Sequence, residues 1–290
     1  MSVESYCYKS IESGRVIELY MYHNKMYQRK TEDTQDFLEE INSWDITENL
    51  KEVEKKEKEV EKMQDEEIFV KPNKTDISLK RTQKRLKRLI NSNLGVWDEQ
   101  DKFLTLTCPH LKSREKAVRM LKTFFETLRY NYGSQIQYIS VMEIQDGDRL
   151  EDKSKATKDI HFHILLFNCP YIPQDVLQNK IWKHGIVDIR KIEEFGDIAG
   201  YLANYLSKDD TLAVKGKRGY SPSKGLHQPV EKVGVDEQMI FDVLGNKENE
   251  VKYTETYYLE NVGKVTYFRL QKKDKQNEEK KKNNDHCSDC

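Results

Sequence analysis

Nine consecutive residues, Asp159-Ile-His-Phe-His-Ile-Leu-Leu-Phe167, limit what this chain can fold into more than any other stretch. After the aspartate every position is apolar, aromatic or histidine, and polar sequence bounds the run, so it reads as a short strand. Alternation along a strand puts His161, His163, Leu165 and Phe167 on one face and Phe162, Ile164 and Leu166 on the other. A strand this apolar is expected at the centre of its sheet. Two imidazoles side by side on it have the spacing to hold one metal ion. Taken alone, the same pair also reads as two polar residues sharing a face.

The surrounding sequence supplies a sheet for that strand. Phe103–Thr107 reads as a strand, and Arg114–Tyr130 as a helix with an apolar stripe of Ala117, Val118, Leu121, Phe124, Phe125 and Leu128. Ile136–Ile144 is a strand with Ile139, Val141 and Glu143 on one face, and a polar loop over 145–158 leads into the histidine strand. Asp175–Lys183 reads as a helix closing at His184-Gly185, Ile186–Arg190 as a strand and Phe195–Lys208 as a last helix. The order strand-helix-strand-strand-helix-strand predicts an α+β fold of the ferredoxin-like split βαβ kind, an antiparallel sheet with helices on one face.

Consecutive antiparallel strands are usually neighbours, which brings Glu143 beside His161 and His163. Two neutral imidazoles and a carboxylate leave positions open for water and a substrate oxygen, the layout of a catalytic metal site. The other reading of Glu143 is an exposed strand carboxylate. In the last helix Tyr201, Tyr205 and Lys208 fall at i, i+4 and i+7, on one face, while Leu202, Ala203 and Leu206 can pack the other. A phenol with a pKa of about 10 is a poor nucleophile at neutral pH. A divalent ion and a nearby lysine would help it by polarising a phosphate and screening the developing charge. Amphipathic packing accounts for two tyrosines on one face equally simply.

Taken together, these residues resemble the HUH endonucleases, and among them the rolling-circle replication initiators of plasmids and single-stranded DNA phages. Phe103-Leu-Thr-Leu-Thr107 matches the first family motif, His161-Phe162-His163 the second, and Tyr205-Leu-Ser-Lys208 with Tyr201 the third, all in the family's order. The resemblance covers roughly 80–230. It implies a site-specific, metal-dependent nickase and ligase of single-stranded or melted origin DNA, with Mg²⁺ or Mn²⁺ held by His161, His163 and Glu143. It implies Tyr205 as principal nucleophile, forming a 5′-phosphotyrosine link and a free 3′-hydroxyl, with Lys208 assisting. Tyr201 is followed three residues later by Asn204, where two-tyrosine members can have lysine; a second nucleophile, a positioning residue and packing all stay open for it. A host helicase and DNA polymerase are the implied partners. A transposase or relaxase of the same chemistry, and a non-catalytic origin-binding protein, are the alternatives.

Net charge of −1 conceals strong segregation. Residues 31–70 carry fifteen Asp/Glu and five Lys, whereas 71–92 carry eight Lys/Arg against Asp76 alone. The total therefore says nothing against nucleic-acid binding. In the basic segment Leu79, Leu86, Leu89 and Ile90 would dock one helix face, leaving Arg81, Lys84, Arg85, Lys87 and Arg88 for phosphates or simply for solvent. Lys217, Arg218, Tyr220 and Lys224 form a second basic stretch with an aromatic, suited to phosphate contact and base stacking or to an ordinary surface loop.

The expected organisation is an N-terminal hairpin (1–30), an acidic linker or helix (31–70), a basic lead-in (71–95), a catalytic domain (96–230), a C-terminal β extension (231–271) and a disordered tail (272–290). With 37% hydrophobic and 34% charged residues, part of the chain is expected to be poorly packed. There is no apolar run of about 18 residues and no basic-then-apolar leader, which points to a cytoplasmic protein without a membrane partner. Five scattered cysteines make no disulfide framework, and Cys287-Ser-Asp-Cys290 is half a zinc site with no second pair. No Gly-x-x-x-x-Gly-Lys-Ser/Thr loop is present, so strand separation would fall to supercoiling or a partner.

Overall fold

The computed structural model describes residues 3–29, 74–98, 100–111, 113–144, 159–192, 195–207, 219–234, 238–259 and 262–273. The acidic segment 31–70, the loop 145–158, Lys208, Lys217, Arg218 and the C-terminal cysteine pair lie outside the described residues. The chain divides into two units, Met1–Lys71 with Val230–Cys290, and Pro72–Pro229. No described helix is long and apolar enough to cross a membrane.

The first unit is built from both ends of the chain. Strands β1 (Val3–Ser13) and β2 (Val16–Arg29) form a hairpin that turns at Gly14, whose φ of 58° suits a residue without a Cβ. The second unit intervenes and supplies β3 to β7. Then come β8 (Val230–Gly234), helix α5 (Gln238–Leu244), β9 (Asn249–Leu259) and β10 (Gly263–Lys272). All five strands make one antiparallel sheet in the order β8-β1-β2-β10-β9. One face packs Ile17, Leu19, Phe268 and Leu270 under Met239, Ile240, Val243 and Leu244 of α5. The other clusters Ile11, Tyr20 and Val265 with Tyr22, Tyr257 and Tyr267. There the buried Glu18 carboxylate accepts hydrogen bonds from the Tyr20 and Tyr267 hydroxyls at 3.1 and 3.0 Å.

The second unit opens with helix α1 (Lys74–Asn91) and then follows the split βαβ path. Its elements are β3 (Lys102–Cys108), α2 (Arg114–Tyr132), β4 (Gln137–Ile144), β5 (Ile160–Phe167), α3 (Gln174–Val176) running into a π turn (Leu177–Trp182), β6 (Val187–Lys191), α4 (Ile198–Asn204) with a 3₁₀ turn (Tyr205–Ser207), and β7 (Tyr220–Pro222). The sheet order is β6-β3-β5-β4-β7, all antiparallel neighbours, so α2 joins β3 to β4 across an intervening β5. The fold is α+β, and the histidine strand is central.

Helices cover both faces of this sheet, not the single face expected. Leu104, Leu106, Ile160, Phe162, Ile164 and Leu166 pack under α2 and Trp182. On the opposite face Phe103, Ile139, Val141, Leu165 and Phe167 pack under α1 and α4. The reason is in β5 itself, where both alternating sets are apolar and each must be taken out of water. Val118 is a smaller departure. It sits at the margin of the α2 stripe and is 47% exposed, while Ala117, Leu121, Phe124, Phe125 and Leu128 are buried. Lys183, with φ of 64°, ends the π turn one residue before His184-Gly185. Gly185 serves a different need, since a Cβ there would lie 2.4 Å from the Thr107 carbonyl oxygen.

Candidate active site

Three segments remote in sequence meet on the face of β5 that carries the histidines. Cross-strand register sets Glu143 of β4 opposite His161, and Thr105 and Thr107 of β3 opposite His163 and His161. Glu143 Oε2 lies 2.8 Å from His163 Nε2, and Thr105 Oγ1 lies 3.4 Å from His163 Nδ1. His163 is 5% exposed, so both of its ring nitrogens find partners inside the protein rather than in water. Burial, and secondarily the neighbouring His163, lower the pKa of His161 below its ordinary 6.5; Glu143 and Asp159 act in the opposite sense. At neutral pH His161 is therefore an uncharged imidazole, the form that ligates metals.

Helix α4 carries the tyrosines onto the same face. Asp197 caps it, its carboxylate accepting from Gly200 N at 2.8 Å, and Ile198, Ala199, Leu202 and Ala203 bury its apolar side. At Tyr205 the helix tightens into the 3₁₀ turn, and this ring goes inward. It stacks on His163 with centroids 3.8 Å apart and planes 21° from parallel. The Tyr205 hydroxyl donates to the Tyr201 hydroxyl at 2.5 Å. Tyr205 is 4% exposed and Tyr201 37% exposed, so the two phenols share one polar spot but only Tyr201 opens broadly to solvent. The expected common face for Tyr201 and Tyr205 is thus divided between an inner and an outer ring; Lys208 is not among the described residues.

Residues with no motif of their own complete the setting. Phe103 lies parallel to His163 at 6.0 Å, and edge-on to Phe195 at 4.9 Å and to Tyr201 at 5.8 Å. This aromatic wall keeps water from the inner side of the tyrosine pair. Gln83 of α1 donates its side-chain amide to the Ala203 carbonyl at 3.2 Å, in the last turn of α4, where helix carbonyls lack intrahelical partners. The signal for Phe103 and Thr105 was alternation within β3, readable only once the register with β5 is known. For Gln83 and Phe195 the sequence carries no local signal.

As to metal, the chemistry of the donor set fits a divalent ion that accepts nitrogen and carboxylate ligands. Among the described residues, however, no three His, Cys, Asp or Glu side chains are already gathered in a geometry that could hold one. Glu143 is engaged with His163 instead. Of the cationic residues, Lys80, Arg81, Lys84 and Arg85 are exposed on α1, Lys87 and Arg88 are half-buried, and Lys224 is exposed in a turn. Tyr220, expected in a surface loop, is half-buried in the edge strand β7 and pairs with Val141.

Residues 101–210 match the model of a family of replication-associated proteins, the ORF2 type. The central unit is similar to these replication-associated proteins. The matched segment runs from the start of β3 past α4 and contains Glu143, His161, His163, Tyr201, Tyr205 and Lys208. Such a family acts in DNA replication, and DNA is the partner consistent with it. No curated protein and no solved structure matches the chain.

Proposed function

We propose that this protein initiates rolling-circle replication by nicking and rejoining single-stranded origin DNA through a tyrosine of α4. The observation that carries the reading is the stacking of Tyr205 on His163 at 3.8 Å, with Glu143 bonded to the same imidazole. A helix tyrosine, a paired-histidine strand and a strand carboxylate have no packing reason to converge on one polar spot. Phosphoryl transfer explains why they do.

In this reading His161, His163 and Glu143 hold a divalent ion, Mg²⁺ or Mn²⁺, once Glu143 turns from its bond to His163. That ion supplies Lewis-acid polarisation of the scissile phosphate and screens charge as it develops. The Tyr205 hydroxyl attacks phosphorus in line. The new Tyr–O–P bond forms as the bond to the 3′-oxygen breaks, leaving the 5′-phosphate on the tyrosine and a 3′-hydroxyl on the departing strand. The Tyr205 proton passes to the Tyr201 hydroxyl, its 2.5 Å acceptor, and from that exposed ring to solvent. Reversal, with a new 3′-hydroxyl as nucleophile, rejoins the strand. Phe103 and Phe195 limit water, which would otherwise hydrolyse the phosphotyrosine link.

The test is a denaturing gel of the protein with labelled single strands from around its own gene, with Mn²⁺ or with chelator. A metal-dependent covalent adduct is expected with wild type and none with Tyr205→Phe. An adduct that survives Tyr205→Phe moves the nucleophile to Tyr201. Tight binding without any adduct replaces this reading with a non-catalytic origin-binding role.

A further inference from the structure

We propose that the outward face of α1 is a phosphate track along which single-stranded DNA runs to the tyrosine pair. The proposal rests on the nick-and-join reading for its destination, though not for the binding itself. Between Ser78 and Asn91 the helix carries Lys80, Arg81, Lys84, Arg85, Lys87 and Arg88 and no acidic residue. Its apolar side is fully committed, with Leu86, Leu89 and Ile90 buried in the core that also holds α4. Lys80, Arg81, Lys84 and Arg85 remain exposed on the other side. They form two rows at i and i+4, Lys80 with Lys84 and Arg81 with Arg85, each pair about 6 Å apart along the axis.

Location turns this charge into a site. Helix α1 packs directly on α4 and on the 3₁₀ turn that bears Tyr205, and Gln83 joins them through the Ala203 carbonyl. Packed helices lie about 8–10 Å apart. A strand whose phosphate reaches the tyrosine hydroxyls therefore passes alongside α1, with several nucleotides' length of helix to follow. The occupant is argued from charge: a polyanion of evenly repeated charge meets evenly repeated cations. The exposed positions hold no aromatic or apolar residue, so the contact reads backbone and not base sequence. An acidic protein partner would offer no reason for the track to end at the tyrosines.

The test uses the full chain carrying Tyr205→Phe, so that chemistry does not enter the binding measurement. Anisotropy of a labelled 30-nucleotide single strand of mixed sequence is compared with and without Lys80→Gln, Arg81→Gln and Arg85→Gln. Glutamine keeps helix propensity, and circular dichroism checks the fold. Losing three phosphate contacts is expected to weaken binding about tenfold or more at 0.1 M salt and to flatten the log K against log salt slope by about 2. Equal affinity with an unchanged slope would overturn the track. Weakened binding by the triple variant, beside a wild type that forms no adduct, upholds the track and discards the chemistry. An adduct in wild type beside undiminished binding by the variant does the reverse.

Discussion

His161 is where burial and a second imidazole act together against a positive charge. Both lower its pKa below 6.5. In the unfolded chain this ring takes up its proton near 6.5, whereas in the folded protein it does so only at lower pH. Between those two values the unfolded state binds more protons, so stability is lost as pH falls through 6.5 and the loss levels off below the folded value. Urea midpoints at pH 7 and pH 5 measure this. The drop is expected to be smaller in His161→Gln than in wild type, and parallel drops would count against the burial argument. The neighbouring tyrosines show what a sequence hides at this scale. Spacing made Tyr201 and Tyr205 equivalent, yet one is stacked inside on His163 and the other is 37% exposed. The helix tightens between them, and no residue pattern announced that turn.

Strands and helices were legible where a periodic pattern was long enough to count. β5, β4, β3 and α2 lie within a residue or two of their expected bounds, because alternation or an apolar stripe runs through each. β7 was not legible, since three residues of an edge strand carry no period and Tyr220 looks the same in a loop. Which faces the helices cover was missed for another reason. The apolar character of both sides of β5 was in view, but the docking of α1 onto it depends on tertiary packing. The same scale yields a prediction for the glycine before β6. Alanine at Gly185 would set its Cβ 2.4 Å from the Thr107 oxygen and 2.7 Å from its hydroxyl. Backbone must shift, and Gly185→Ala is expected to cost about 1–3 kcal/mol by overpacking, read from chemical denaturation. The shift falls where Thr107 faces His161, so Mn²⁺-dependent adduct formation should decline with it. A variant as stable as wild type would show that the loop yields freely.

At the scale of the whole chain, continuity in sequence and continuity in fold part company. Residues 72–229 contain two core clusters made wholly of their own side chains, one on each face of the β6-β3-β5-β4-β7 sheet. The segment matched to replication-associated proteins, 101–210, lies inside that unit. The other unit needs both ends of the chain: β10 sits between β2 and β9, and Phe268 and Leu270 complete the core begun by Ile17 and Leu19. Local order of synthesis cannot finish that sheet until the last strand is made. The two units should therefore respond differently to being cut out. A fragment spanning 72–229 is expected to unfold cooperatively in urea and to keep near-ultraviolet dichroism from Trp97 and Trp182, since Trp182 is buried among its own residues. A fragment of 1–71 lacks the strand that covers β2 and should stay unfolded or associate through that bare edge. A non-cooperative 72–229 fragment would mean that its two cores do not suffice, and that the terminal sheet contributes to the stability of the unit that carries the tyrosines.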